Sequence, residues 1–523
     1  MKKLTAILLA ILMLILIIAS CGGNDETTTT EIPTTEAPTA EAPTTEALTT
    51  EAPTTETPTT EIPTTEAPTT INPDVPWSSK TDIRDTWSGK TLNVACTTWY
   101  DGLSAPWCTL ELAIKEGEES GFGTCIDNAV LEKQGFIENT YGVKLNFINA
   151  GKYSVNAAID ADILAKNINY YLTMPRSMTV QSMVAAGYLY DLNNREFIDF
   201  RNTYYDQNFV NSYTAYGHTF FVTGNFSTIK NETASVLFVN KDILGDGSKE
   251  ATEELYNLVK KGEWTFDRLV AYCETAYSDN GNEEDIFRYV HGLCCTNLGI
   301  YFNFFGSTQA GVSNTTGQWE LAINNEKVDD IITAILSSYN ARWLKYYSGY
   351  GWGGTNSLGF EKDKILFLSD ILKNVDSLKD KDKGIVPFPM LNKEQGRYYV
   401  PTSNQLTILM CIPKTTQNRE MSEYFMDVLC WTGEDYTMKA YIETKKEQFK
   451  DDADIEMITE YIIPNISYDA GECVEWDELL PSVKNASWAD GENKFDEVYA
   501  SAEPDALKTI AEWNAAWGGY TEE

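Results

Sequence analysis

Between Gly89 and Ile148, the spacing of hydrophobic and polar positions changes from that of a β-strand to that of a helix and back again. The run GKTLNVACTTWYDG (Gly89–Gly102) is β-rich and ends in a polar, aromatic turn, which predicts a first strand. Val130 and Ile137 lie among apolar positions at near-helical spacing, and Gly142 is typical of a helix end. A second apolar run, Val143–Ile148, predicts the next strand. Strand, helix and strand in this order are the unit of a parallel α/β sheet.

The same pattern occurs again further along the chain. A short helix precedes a predicted strand at Tyr170–Met174, a polar turn follows at Pro175–Ser177, and the next predicted helix ends at Gly187. In open α/β sheets, ligands bind outside the C-terminal ends of the strands. The sequence therefore places Trp99–Asp101 and Arg176–Ser177 at one such edge.

The middle and the end of the chain have different patterns. Two strand-like runs lie within residues 218–244, and the second ends at Asn240. Thr265 can cap a following helix, and residues 383–414 predict strand, turn and strand. About the last 110 residues predict helices. The sequence does not predict that the glycine-rich GYGWGG at 349–354 follows a strand and opens a helix, so we do not interpret it as a phosphate-binding loop.

The N-terminus carries an export signal. Two lysines precede an apolar run from Leu4 to Ala19, which is shorter than the roughly 20 residues of a membrane-spanning helix. This pattern predicts a secretory signal over residues 1–20. The final IASC, ending at Cys21, resembles the lipobox of bacterial lipoproteins. The resemblance implies that Cys21 is lipidated and that the protein is anchored to the cell membrane, facing the extracellular side. The alternative is an ordinary secretion signal.

Residues 21–76 are rich in Thr, Pro and Glu and have almost no large apolar residues. Such a segment cannot offset the entropy of ordering, so we predict a disordered stalk. About fifty residues in extended polyproline geometry would reach on the order of 150 Å. The stalk is either a plain spacer or a carrier of O-glycans on its threonines.

Composition limits the functions of the remaining residues, which are about 445 in number and too many for one ordinary core. The formal charge of −37 argues against nucleic acid and anionic lipid as partners. The 13 Trp and 29 Tyr residues lie almost entirely beyond the stalk. Most belong to the core, but their number in an exported protein favours flat, partly apolar ligands such as sugars.

The counts of cysteine and histidine limit the chemistry further. Nine cysteines follow Cys21 without metal-ligand spacing, and buried free thiols explain them better than a disulfide framework does. His218 and His291 are the only histidines, too few for a histidine-built zinc site, and we interpret both as structural. We predict no catalytic residue, no metal and no cofactor.

Six motifs of the chain occur together in a familiar order. They are Trp99-Tyr100-Asp101, Gly187–Leu192 (GYLYDL), Phe238–Leu244 (FVNKDIL), Glu263–Leu269 (EWTFDRL), Gly384–Pro389 (GIVPFP) and Ile412–Leu429 (IPKTTQNREMSEYFMDVL). In this order, over nearly all of residues 88–523, the chain resembles bacterial extracellular solute-binding proteins of family 1, the carbohydrate-type receptors of ABC importers. Two stretches depart from the family pattern. Phe360–Leu372 lacks a usual Gly-Ala-Ala, and Gly224–Ala234 is longer than usual, so no relative's ligand is carried over.

The resemblance implies an α/β, two-lobed, type II periplasmic-binding-protein-like fold, with lobes that close over a ligand by hinge motion. The chain would cross between lobes near residues 212, 358 and 401. Lobe 1 would then hold 77–212 plus 358–401, and lobe 2 would hold 213–357 plus 402–523 with the C-terminal helices. The implied function is that of a monomeric, non-enzymatic receptor. It delivers a small solute, a sugar or oligosaccharide, to an ABC permease, and it meets the membrane only through its lipid.

Candidate ligand-binding residues are aromatic rings and polar groups at strand ends and crossings, because sugars stack on rings and bind amides, carboxylates and guanidinium groups. They are Trp99, Tyr100, Asp101, Arg176, Ser177, Asn225, Phe226, Thr296, Asn297, Trp352, Ser369, Asn404 and Trp476.

Three alternatives stay open. A secreted glycoside hydrolase needs two facing carboxylates, and no pair stands out among the 77 acidic residues. A stalked adhesin is expected to contain β repeats, which the chain lacks. Within the receptor fold, the ligand could instead be a peptide, a polyamine or a metal chelate.

Overall fold

The structure, a computed structural model, describes most of the chain beyond the predicted stalk. The described residues are 85–98, 123–152, 155–285, 288–346, 355–378, 380–403, 406–473, 479–481, 483–488 and 491–522. The predicted signal, the stalk and the lipidation site at Cys21 lie outside them. Within these ranges, no helix has the length and hydrophobicity needed to cross a bilayer.

The strands of the described residues are short and occur along the whole folded part. They are β1 Thr91–Thr98, β2 Lys144–Lys152, β3 Leu172–Met174, β4 Ser235–Asn240, β5 Ser278–Asp279, β6 Tyr289–Cys295, β7 Ala310–Val312, β8 Trp319–Leu321, β9 Leu344–Tyr346, β10 Ile365–Ile371, β11 Lys383–Val386, β12 Val400–Pro401 and β13 Ile466–Ser467.

The α-helices alternate with these strands and then dominate the C-terminal part. They are α1 Thr124–Tyr141, α2 Asn156–Ala165, α3 Ser177–Ala185, α4 Gln207–Tyr213, α5 Ile229–Glu232, α6 Lys249–Lys260, α7 Phe266–Ala276, α8 Tyr301–Phe304, α9 Val328–Tyr339, α10 Thr355–Glu361, α11 Arg419–Thr432, α12 Lys439–Gln448, α13 Asp452–Glu456, α14 Val483–Ala486 and α15 Phe495–Gly518. Short π-helical segments, Gly433–Met438 and Met457–Ile462, extend α11 and α13. The glycine-rich run at 349–354 lies outside the described residues, but β9 ends shortly before it and α10 begins directly after it, contrary to the expectation from sequence.

The first lobe is built on a parallel sheet in which β1 lies between β2 and β3. This confirms the predicted strand–helix–strand pattern. Gly142 ends α1 in the left-handed conformation (φ 64°), which an L-residue with a side chain rarely adopts. Bridges from Thr173 to Cys411 and from Met410 to Val222 extend the sheet with two later segments. Inward side chains such as Val94 are fully buried.

The second lobe is built on a mixed six-stranded sheet with the order β11-β4-β10-β6-β5, in which β9 also pairs with β6. Its central strands are apolar on both faces, as in Ser235–Asn240 and Ile365–Ile371, because helices cover the sheet. Thr265 precedes α7 as predicted, although its side chain accepts no capping hydrogen bond.

The strand pairings differ from the predicted division of the chain between the lobes. Segment 358–401, predicted in lobe 1, carries β10, which runs antiparallel to β4 and parallel to β6 in the second sheet. Segment 406–413, predicted in lobe 2, bridges to β3 in the first sheet. An apolar run shows that a strand is buried, but it does not show which of two sheets the strand joins.

Among the described residues, the chain passes between the lobes in three segments, 225–234, 400–403 and 439–451, and we call these the hinge segments. The side chain of Thr402 donates to the Lys230 carbonyl at 2.7 Å and lies 2.7 Å from the Thr233 hydroxyl. Lys445 forms an ion pair with Glu232 at 2.5 Å. Each hinge segment is therefore bonded directly to another.

Candidate functional site

Arg176 and Ser177 lie at the C-terminal end of β3, where the first sheet meets a later segment. Arg176 is 2% exposed and bridges to Ile408, while Ser177 is fully buried and its backbone N–H donates to the Thr407 carbonyl at 3.0 Å. The Arg176 carbonyl accepts a hydrogen bond from the side chain of Thr179 at 3.1 Å, which fixes the first turn of α3. Both residues have the strand-end position that the sequence predicts.

Ser177 contacts a segment that arrives from the far end of the chain. Burial raises the pKa of the Cys473 thiol to about 12, and hydrogen bonds with Tyr213 and Ser177 partly oppose this shift. The Tyr213 hydroxyl lies 3.1 Å from the sulfur. Because this thiol stays protonated near neutral pH, Cys473 is a packed polar contact and not a nucleophile.

A buried lysine fixes the segment that carries Cys473. The Lys484 ammonium contacts oxygens of Asp469, Glu472 and Asn303, each at 2.8 Å. The other Asp469 oxygen accepts hydrogen bonds from the backbone N–H groups of Gln309 and Gly471. Fixed carboxylates and amides of this kind hold a binding surface in one geometry.

Thr296 and Asn297 follow β6 at its C-terminal end, and both are half-buried. The Asn297 side chain accepts a hydrogen bond from Gly299 at 2.8 Å. A Cβ at Gly299 would lie 2.5 Å from the side-chain oxygen of Asn485, so Asn485 packs directly on this turn. The segment from Cys473 to Asn485 thus contacts Ser177 of the first lobe at one point and the turn after β6 at another.

Three other predicted site residues have different surroundings from those expected. Ser369 was placed after a first-lobe strand, but it lies inside β10 of the second lobe, paired with Leu237. Phe226 is fully buried, so in this conformation it is a core residue and cannot stack on a ligand. The Asn225 backbone donates to Tyr204 at 2.8 Å, and its carbonyl packs against Gly433. Both residues therefore support the start of the first hinge segment.

Six predicted ligand-binding residues lie outside the described residues. They are Trp99, Tyr100, Asp101, Trp352, Asn404 and Trp476.

Sequence reasoning missed the buried ions of the hinge segments. Lys230 pairs with Asp206 at 3.0 Å, and Lys445 pairs with Glu232. Each charged side chain of these two pairs is at most 7% exposed. The partners of the second pair are 213 positions apart in sequence, and no local pattern relates residues at that distance.

The described residues offer few groups that could bind a metal ion or act as reactive thiols. Among the described residues, no group of three or more His, Cys, Asp or Glu side chains is placed to hold a metal ion. The eight described cysteines are free. Seven of them are buried, which confirms the prediction of buried free thiols for these seven, while Cys125 is half-buried. His218 lies 2.8 Å from Asp191.

Comparisons with known proteins give a clear result for the fold. No protein-family model and no curated protein matches the chain. A solved cyclo/maltodextrin-binding protein complexed with maltotetraose matches with a TM-score of 0.52 and 11% identity, over 80% of this chain and 97% of that one. An extracellular solute-binding protein from Staphylococcus aureus in complex with maltose matches with a TM-score of 0.50 and 11% identity, over 81% and 98%.

These similarities extend over almost the whole length of both solved proteins and over about four-fifths of this chain. At 11% identity they establish the fold and not the ligand. The fold agrees with the two sheets and the three hinge segments described above. The chain has the two-lobed α/β fold of periplasmic-binding-protein-like proteins.

Proposed function

We propose that this protein is an extracytoplasmic solute-binding receptor of family 1, anchored by a lipid on Cys21, which delivers a sugar or oligosaccharide to an ABC importer. The observation that carries the proposal is the two-lobed fold with hinge segments that are bonded to one another. Lobes joined in this way close around a ligand by hinge motion. The protein would bind, close and dock as a monomer, and it would not act as an enzyme.

The sugar is proposed on two grounds. The two solved proteins with this fold are complexed with maltotetraose and with maltose. This chain is also rich in Trp and Tyr beyond its stalk, and such rings stack on sugar faces. The turn after β6, with the half-buried Thr296 and Asn297, would supply polar groups from the second lobe.

A thermal-unfolding screen of the purified full chain tests this proposal. Maltose, maltotetraose and cyclic maltodextrins would be compared with peptides and polyamines, and the sugars would be recovered and analysed afterwards. A ligand present at 100 times its Kd stabilises the folded state by about 2.7 kcal/mol. Stabilisation by a sugar that is recovered intact would support the proposal. Cleaved sugar would replace it with a glycoside hydrolase, and stabilisation by only a peptide or a polyamine would overturn the sugar assignment.

Thr296→Val tests the position of the site once a sugar is found. It removes one hydroxyl from the turn after β6 and keeps the shape of the side chain. We expect sugar affinity to fall roughly threefold to tenfold, because a lost hydrogen bond costs about 0.5–1.5 kcal/mol. The matched control is Thr509→Val on α15, where the threonine is half-buried like Thr296. Equal affinities for the two variants would place the site elsewhere.

A further inference from the structure

The second lobe contains a pocket that the proposed receptor function does not use. It has a volume of about 670 Å³ and lies between α6 and α7, over the edge of the second sheet. All of its lining residues fall between 242 and 366, so it is built from the second lobe alone. Small-molecule sites in proteins have volumes of about 300–1,000 Å³. The pocket is therefore large enough for a small organic ligand.

The pocket combines apolar side chains with several acidic ones. Leu244, Leu258, Tyr272, Val290 and Leu366 supply the apolar surface. Four carboxylates also line it, but two of these, Asp242 and Asp363, share the Lys381 ammonium at 2.5 and 2.6 Å. The single Lys381 ammonium therefore offsets only one of these two negative charges.

The other two carboxylates are Asp246 and Glu254. Both are exposed, and the structure gives neither an ion-pair partner among the described residues. The pocket also contains one cationic side chain, Arg268. Burial and then the Glu254 carboxylate raise the pKa of the Tyr272 hydroxyl, and Arg268 opposes them more weakly. Of these two charged groups, Glu254 therefore acts more strongly than Arg268 on the Tyr272 hydroxyl.

We propose that this pocket binds a small organic cation, an amine or guanidinium on an apolar stem. The charged head would lie between Asp246 and Glu254, and the stem would cover the leucines and the Tyr272 ring. A pocket lined by an aromatic ring and by two carboxylates without an ion-pair partner among the described residues favours a cation over a neutral or anionic molecule of the same shape. The site is distinct from the junction between the lobes, so it does not depend on the proposed sugar site.

Four probes of similar shape separate the contributions to binding. They are 2-phenylethylamine, 2-phenylethanol, 3-phenylpropionate and phenylalanine, whose charges are positive, neutral, negative and zwitterionic. Binding to the full chain would be followed by saturation-transfer NMR and calorimetry. We expect saturable binding of the amine at one site, weaker binding of the alcohol, and the weakest binding of the anion. High salt should weaken binding of the amine and leave binding of the alcohol unchanged.

Variants place the binding in this pocket. Glu254→Gln and Asp246→Asn should each lower the affinity for the amine roughly two- to fivefold, as expected for exposed charge pairs. The affinity for the alcohol should stay unchanged. The matched control, Glu274→Gln, removes a charge from α7 outside the pocket and should change nothing. Ala271→Trp, which fills the pocket, should abolish binding of both probes.

Several outcomes would overturn the proposal. These are no saturable binding of the amine, equal affinity for amine and alcohol, tighter binding of phenylalanine than of the amine, or equal effects of Glu254→Gln and Glu274→Gln. The sugar screen has a separate readout and a separate site. A failure here therefore leaves the receptor function standing, and the reverse also holds.

Discussion

At the scale of single residues, His291 shows how burial sets a charge state. It lies on β6 and is half-buried, and burial followed by the nearby Lys345 lowers its pKa to about 4. Its usual pKa is about 6.5. Between these two values the unfolded chain binds a proton that the folded protein does not bind. Stability from this residue is therefore fully present above pH 6.5 and is lost as the pH falls toward 4.

His291→Gln removes this titration. We expect the difference in free energy of unfolding between the natural protein and the variant to shrink as the pH is lowered from 7 to 5, because only the natural protein has to exclude a proton from His291. Urea unfolding at both pH values measures the difference. Tyr289→Phe, which changes a neighbouring ring on β6 and leaves the imidazole in place, should give a constant difference. A constant difference for His291→Gln as well would contradict the lowered pKa.

The candidate site could be predicted only in part at this scale. The ends of β3 and β6 follow from apolar runs that stop at polar turns, so Arg176 and Thr296 have the predicted strand-end positions. Phe226 was expected at a crossing between lobes, where a ring would face the ligand. It is fully buried instead, because the chain folds back on Tyr204 at this point. Sequence shows that a ring is apolar, but not which neighbour covers it.

At the scale of elements, the hinge segments depend on buried ion pairs. Lys445 of α12 and Glu232 of α5 are 2% and 6% exposed, and their charged atoms are 2.5 Å apart. Removing one partner of a buried pair leaves an uncompensated charge, which costs about 3–5 kcal/mol. Lys373 lies 3.9 Å from Glu232 and compensates it in part.

Lys445→Met tests this pair. We expect the free energy of unfolding to fall by about 3 kcal/mol, at the lower end of the range because Lys373 remains. The next residue provides a matched control. Lys446 pairs with Glu443 at 2.6 Å, but its side chain is 47% exposed, so Lys446→Met should cost at most about 1 kcal/mol. Equal losses for the two variants would show that burial of the Lys445 pair has no energetic role.

Elements near the N-terminus of the folded part could be predicted well from sequence, and their assignment to lobes could not. α1 and β2 follow from helical spacing and an apolar run joined at Gly142, which are local signals. β10 has an equally clear apolar run, but it joins β4 across more than a hundred residues. Which sheet a strand joins depends on long-range pairing. The family resemblance therefore placed two of the three crossings between the lobes, those near residues 212 and 358, at the wrong points of the chain.

At the scale of the whole molecule, the C-terminal helix α15 contacts both lobes. Near its start, Phe495 stacks on Phe302 of the second lobe. Near its end, the Trp517 indole donates to Gln181 of the first lobe at 3.1 Å. Beyond the helix, Glu522 pairs with Arg195 and Arg419 at 2.6 and 2.7 Å. A hinge motion of the lobes therefore has to change contacts at one end of this helix.

Trp517 is the contact on which this connection depends most. Its fully buried ring lies between Phe220 of the first lobe, at 4.8 Å, and Trp319 of the β7–β8 hairpin, at 5.3 Å. In the sequence, this hairpin lies between β6 and β9, which are both strands of the second sheet. We expect Trp517→Ala to lower the free energy of unfolding by about 3–5 kcal/mol, the usual cost of removing a buried tryptophan.

The effect of Trp517→Ala should also reach beyond its own helix. Because the ring packs on both lobes, amide hydrogen exchange should rise in α3 of the first lobe and in β8, as well as at the end of α15. Leu507→Ala, at a position on the same helix that is 49% exposed, should change stability by at most about 0.5 kcal/mol and leave both regions protected. If exchange after Trp517→Ala rose only within α15, the helix would be a passive cover, and the lobes would be held together by the hinge segments without it.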